Sequence, residues 1–226
     1  MTTTLDPPVP PPTHVLADGI VDGRGAERLL PPADPGVPIA DPAPLGLAAF
    51  AGATFVLSIF NSGLGSAELT AVVLPLALLY GGIVQILAGM WEFRNDNTFG
   101  AVAFTSYGAF WISYFYYAKY VAGGLPPESA HVATGIFLLM WTIFTAYMTL
   151  AAAKTNTVLL AVFGTALVTF ALLTLGEFAE STFLLHAGGY VGLLVAALAW
   201  YGSAAGVVNP TWGRTLLPVF PFRRSA

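Results

Sequence analysis

The chain has 226 residues, 56% of them hydrophobic and 9% charged, with a formal net charge of −4 and no cysteine. A soluble domain carries about 25% charged residues, so this composition belongs to a chain that crosses a membrane several times. The slight acidic balance offers no basic face for nucleic acid, and the missing thiols exclude disulfides, thiol catalysis and thiolate metal sites.

Residues 1–40 hold nine prolines, including Pro10-Pro11-Pro12 and Pro31-Pro32. Such a stretch cannot bury enough apolar surface to fold and reads as a disordered cytoplasmic tail, a spacer by composition. No basic patch precedes an apolar run at Met1, so a cleavable signal peptide is not expected. The stretch Asp41-Pro42-Ala43-Pro44-Leu45-Gly46-Leu47 then marks entry into lipid. The Asp41 carboxylate can accept hydrogen bonds from the first free N–H groups of a helix, and Pro42 suits a first helical position because its missing N–H costs nothing there.

Six apolar segments follow, near Leu45–Ser66, Leu69–Trp91, Phe99–Gly123, His131–Ala152, Thr157–Ala179 and Phe183–Val208. Each approaches the ~20 residues that span a hydrocarbon core, and at that depth only helices of this length satisfy their own backbones. The expected architecture is an all-α integral membrane protein: a six-helix transmembrane domain over 41–218 and a short cytoplasmic tail over 219–226. Arg24, Arg28, Arg94, Lys154, Arg214, Arg223 and Arg224 fall on one side of this arrangement and only Lys119 on the other. The positive-inside rule therefore places both termini in the cytoplasm. Asp41, Ser66, Asn97, Ser129, Asn156 and Ser181 stand at the six helix starts as capping residues.

No catalytic constellation is present. His14, His131 and His186 are scattered, no metal-ligand spacing occurs, and no phosphate-binding loop points to a cofactor. The chain reads as a pathway through lipid rather than an enzyme. In the second span, Gly81, Gln85 and Gly89 recur every four residues after Tyr80, a stripe that lets another helix approach with an amide in the seam. In the third, Phe104, Tyr107, Trp111 and Tyr114 share helical spacing. The Tyr107 ring can narrow a passage while its hydroxyl donates to an anion. In the sixth, Gly188, Gly192 and Ala196 form a small-residue ridge. His186, Glu177 and Glu180 gather near the outer ends of the last two spans, either as wetted interfacial groups or as a proton-sensitive mouth. Thr54, Asn61, Gln85, Thr105, Ser106 and Tyr107 are the donors available to replace the water of a carboxylate.

Four landmarks stand in order: Asp41–Leu47, Tyr80-Gly81-Gly82 with Gln85, Asn97-Thr98-Phe99-Gly100 with Phe104–Trp111, and Gly213-Arg214-Thr215-Leu216-Leu217-Pro218. Together they resemble the acetate uptake transporters, the bacterial succinate–acetate permeases and their fungal relatives. The family opens its first landmark with asparagine, where this chain has Asp41, which accepts capping bonds but does not donate as an amide does. The resemblance implies protomers that each carry a pore and assemble into a homohexamer in membrane lipid. It also implies passage of acetate, with succinate and other small carboxylates as lesser substrates. It further implies a hydrophobic constriction of phenylalanine, tyrosine and leucine, which the motifs place at Phe50, Tyr107 and Ala166. Alanine leaves one side of that ring open unless Leu167 or another side chain turns in. Few buried acids are available as proton relays, which favours passive movement over proton symport. Two other readings fit the composition: a channel for another small solute such as ammonia or urea, and a non-transporting membrane sensor or scaffold.

Overall fold

Residues 39–222, those that the computed structural model describes, are built almost wholly from helix. The expected spacer tail over 1–40, with His14, Arg24 and Arg28, lies outside the described residues save for its last two positions, as do Arg223 and Arg224 of the short C-terminal tail. Helix α1 covers Ala43–Asn61. A tight turn of helix over Ala67–Val72 leads into α2, Val73–Leu78, and a wide turn over Leu79–Val84 links α2 to α3, Gln85–Arg94. Then come α4 over Thr98–Tyr116, α5 over Ala130–Ala152, α6 over Thr157–Phe178 and α7 over Thr182–Trp212.

Five helical stretches are long and apolar enough to cross a membrane: Ala43–Asn61, Ala67–Arg94, Ala130–Ala152, Thr157–Phe178 and Thr182–Trp212. The expected third span is also a helix, α4, but it is not one of these five. Its Thr98, Thr105, Ser106, Ser113 and four Tyr and Trp residues lower its hydropathy, although one face of it is enclosed by the rest of the fold. Ala101, Ala103, Phe104, Tyr107, Phe110 and Trp111 are all buried.

The helix starts differ in how they close. Asn97 accepts from Gly100 N at 3.1 Å, Asn156 from Leu159 N at 2.9 Å and Ser181 from Leu184 N at 3.4 Å. At α1 the cap position falls on Pro42, and Asp41 accepts from Ala43 N at 2.9 Å. Ser66 and Ser129 make no side-chain cap, contrary to expectation; Ser129 Oγ donates instead to the Pro126 carbonyl at 3.4 Å.

The helices pack in a circle: α1 on α7, α7 on α6, α6 on α5, and α3 on both α1 and α4. Small residues set the closest approaches. A Cβ built on Gly189 would run into the backbone of Asn61 and Ser62, and one on Gly81 would lie 2.7 Å from the Ala53 methyl, so α7 and the second membrane segment both seat against α1 at backbone distance. The ridge expected on α7 is also a contact surface, with Gly188 against Leu173 of α6 and Gly192 against Ser58 of α1, and the stripe meets α1 at Gly81 and α4 at Gly89. After α7 the chain turns through left-handed Gly213 and folds back. Beyond Pro218, Val219 packs on the core and Phe220 and Phe222 pair with the α5–α6 turn.

Candidate functional site

Two cavities lie within the circle of helices, one toward each end. The first, about 390 Å³, is bounded at its far end by Asn61, Tyr117, Thr134, Glu177, Thr182 and His186, which mark where α1, α4 and α6 end and α5 and α7 begin. The second, about 280 Å³, is bounded by Asp41, Asn97, Asn156 and Asn209, from the starts of α1, α4 and α6 and the end of α7. Between them a gap of about 10 Å³ is lined by Leu47, Phe50, Gln85, Ala103, Phe104, Tyr107, Val162, Phe163 and Ala166. That volume holds about one water at most. Phe50 and Ala166 also line the His186 cavity, and Leu47, Ala103, Phe104 and Phe163 also line the Asp41 cavity. The three spaces therefore make one line: two vestibules joined at a neck.

The neck is aromatic. Phe50, Tyr107 and Ala166 all line it, with the Phe50 and Tyr107 rings 5.2 Å apart. Tyr107 also faces Phe144 edge-on at 5.2 Å, Phe163 at 6.0 Å and Phe170 in a parallel stack at 6.4 Å. Phe163, on the same face of α6 as Ala166, lines the neck beside it, and Phe170, one turn beyond, lines the His186 vestibule. Leu167 does not turn in; it is half-buried and lines none of the cavities described.

The polar candidates divide. Gln85 is 0% exposed, lines the neck, and has no partner among the described residues for either side-chain atom. Thr54 lines the His186 vestibule with its hydroxyl likewise unpartnered, and Asn61 lines the same vestibule. Thr105 faces Gly89 of α3, and neither it nor Ser106 lines a described cavity, because the face of α4 turned to the path is that of Ala103, Phe104 and Tyr107. The Tyr107 hydroxyl is engaged with Thr145 Oγ1 at 2.9 Å, so the expected donation to an anion gives way to a bond within the protein. Glu177 and His186 both line the vestibule mouth, while His131 Nδ1 lies 3.9 Å from Glu180 Oε2.

Three groups escaped sequence reasoning. Trp111 is 2% exposed, lines the His186 vestibule and keeps its indole N–H unpartnered among the described residues. An indole N–H donor in a helix without charged residues was the available signal. Glu92 falls just past the expected end of the second span, but the helix continues to Arg94 and buries it to 0% exposure. One of its oxygens accepts from Asn97 Nδ2 at 2.9 Å, so it orients the residue that caps α4 and lines the Asp41 vestibule without itself reaching the cavity. Thr145, also 0% exposed, had no signal in sequence, since its role depends on which residue of α4 it meets.

The model of the GPR1/FUN34/yaaH family matches residues 30–224. The Succinate-acetate/proton symporter SatP of Escherichia coli strain K12 is 38% identical over 181 residues, covering 80% of this chain and 95% of that protein. Ammonia transport outward protein 2 of Saccharomyces cerevisiae is 37% identical over 188 residues, covering 81% of this chain and 66% of the yeast protein. Among solved structures, that of the bacterial acetate channel SatP superposes with a TM-score of 0.75 at 37% identity, covering 80% of this chain and 99% of the other.

Proposed function

The chain belongs to the GPR1/FUN34/yaaH family, and from that premise we propose that it passes acetate, with succinate and other short carboxylates as slower substrates, along the line of its two vestibules and aromatic neck. The observation that carries this reading is the neck itself: a narrow aromatic ring with one amide, Gln85, unpartnered among the described residues, set between two polar-mouthed cavities. A carboxylate loses several kcal/mol of hydration on entering such a space unless donors replace its water. Gln85 Nε2, the Thr54 hydroxyl and the Trp111 indole N–H are donors in or beside the neck with no partner among the described residues. Acetate presents a single charged end to them and a methyl group to the rings; succinate brings a second charge that finds no such partner.

Movement is passive in this reading. Among the described residues, no Asp, Glu, His or Lys lines the neck; Asp41 and Glu177 stand in the vestibules and Glu92 behind Asn97. Six spans, α4 included, place Asp41, Arg94, Lys154 and Arg214 on the cytoplasmic side with both termini. Protease protection of tags at Met1 and Ala226 in intact cells checks this. Six copies form a ring, which native mass spectrometry of the solubilised protein reads directly.

The name of the yeast relative supports ammonia as a second reading. Liposomes holding only this protein separate the two. Labelled acetate should enter well above the rate of protein-free vesicles, while methylammonium and urea should not. An imposed pH gradient should add no accumulation beyond the acetic acid equilibrium seen without protein. Faster methylammonium than acetate would replace this reading with the other, and protein-dependent accumulation driven by the pH gradient would replace passive movement with coupling.

A further inference from the structure

The ring at the centre of the neck is tied to a neighbouring helix. Tyr107 reaches from α4 to α5, where its hydroxyl lies 2.9 Å from Thr145 Oγ1. Thr145 has one hydroxyl hydrogen and donates it to the Trp141 carbonyl at 2.7 Å, so in this pair tyrosine is the donor and threonine the acceptor. The same arrangement recurs one residue past the end of α4. The Tyr117 hydroxyl lies 2.7 Å from Thr134 Oγ1, which donates to the Ala130 carbonyl at 2.9 Å. One Tyr–Thr latch thus joins α4 to α5 at the neck, and a second joins the turn after α4 to α5 in the wall of the His186 vestibule.

We propose that Thr145 is a positioning residue for solute selection. By accepting the Tyr107 hydrogen it holds the ring across the neck and keeps the hydroxyl away from the passing solute. The neck then meets a carboxylate as an aromatic wall and discriminates by size and by the second charge. The inference rests on the reading of this neck as a carboxylate path. Its physical basis is that a buried hydroxyl without an acceptor turns to whatever acceptor arrives, and a carboxylate is the strongest on offer. Without Thr145 as acceptor, the ring is free to swing and its hydroxyl is free to donate. Both changes favour the longer dicarboxylate.

The test is the succinate-to-acetate flux ratio in proteoliposomes of assembled protein. Thr145→Val, which keeps the shape and removes the acceptor, should raise the ratio by about fivefold, the scale of one net hydrogen bond. Thr145→Ser keeps the acceptor and should stay within about twofold of the unaltered protein, a change too small to represent the loss of one hydrogen bond. Tyr107→Phe releases the ring from the other side and should raise the ratio in the same direction. Adding Thr145→Val to it should then change nothing further, because the threonine acts only through the tyrosine hydroxyl. An unchanged ratio in Thr145→Val, a serine variant that behaves like valine, or effects that multiply in the double variant would each overturn the proposal. If Thr145→Val fails to assemble, Tyr107→Phe carries the same test, and an unchanged ratio there overturns it. Unaltered protein that passes no acetate defeats the carboxylate reading itself; acetate flux with an unmoved ratio defeats only the role of Thr145.

Discussion

Gln85 is a costly residue where it stands. Its amide is fully enclosed, and neither the oxygen nor the nitrogen has a partner among the described residues. A buried amide left in that state costs about 1–3 kcal/mol of stability. A residue kept at such a cost in the narrowest part of a pathway is expected to contribute to what passes there. Gln85→Leu, similar in volume and apolar, should therefore make the assembled protein more resistant to heat while lowering acetate flux by about tenfold, the scale of one strong hydrogen bond to a charged group. Lower flux with lower stability would mean that the amide serves packing. Unchanged flux would remove it from the path. Ala166 and Tyr107 carry a different lesson. Motif matching named Phe50, Tyr107 and Ala166, and all three line the neck, with the Phe50 and Tyr107 rings 5.2 Å apart. What stands beside Ala166 was not legible, because Phe163 and Phe170 read in sequence as ordinary apolar residues of a membrane helix. Their role comes from lying on the same face of α6 as the alanine, opposite Tyr107.

At the scale of elements, helix existence was legible from apolar run length, and the ends were not. The second segment continues through a wide turn at Leu79–Val84 and on to Arg94, so that Glu92, which looks like a loop residue by charge, is enclosed between α3 and the start of α4. Polar side chains satisfied by another element carry no local signal. The C-terminal segment shows the same thing. Asn209 of α7 accepts from Leu216 N at 2.8 Å and Leu217 N at 2.9 Å and donates to the Leu217 carbonyl at 2.8 Å. One residue so pins the returning chain, while the Phe220 carbonyl accepts from Thr157 N at 3.1 Å at the start of α6. Asn209→Ala should free this strap. Chymotryptic cleavage after Phe222 in solubilised protein should then accelerate by about tenfold, the scale of a net loss of about 1.4 kcal/mol in holding the strap. Cleavage at the unaltered rate would show that Tyr201, which donates to the Pro218 carbonyl at 2.9 Å, and the pairing with Thr155 suffice to hold it.

For the molecule as a whole, six apolar runs, the basic-residue asymmetry and four ordered motifs were enough to point to a membrane pathway for a small carboxylate. They could not show a path, because a path is a property of the circle that α1, α7, α6, α5, α4 and α3 close around it. Once that circle is closed, the two vestibules of about 390 and 280 Å³ are separated only by the aromatic neck. If the neck is where selection happens, changing its width must change which carboxylate passes. The direct measurement is the succinate-to-acetate flux ratio of assembled Phe50→Ala and Ala166→Leu proteins in liposomes. Removing the Phe50 ring should raise the ratio and adding bulk at Ala166 should lower it, with succinate more affected than acetate in both. A ratio that stays the same in both variants would contradict the account and place the selective barrier elsewhere in the chain.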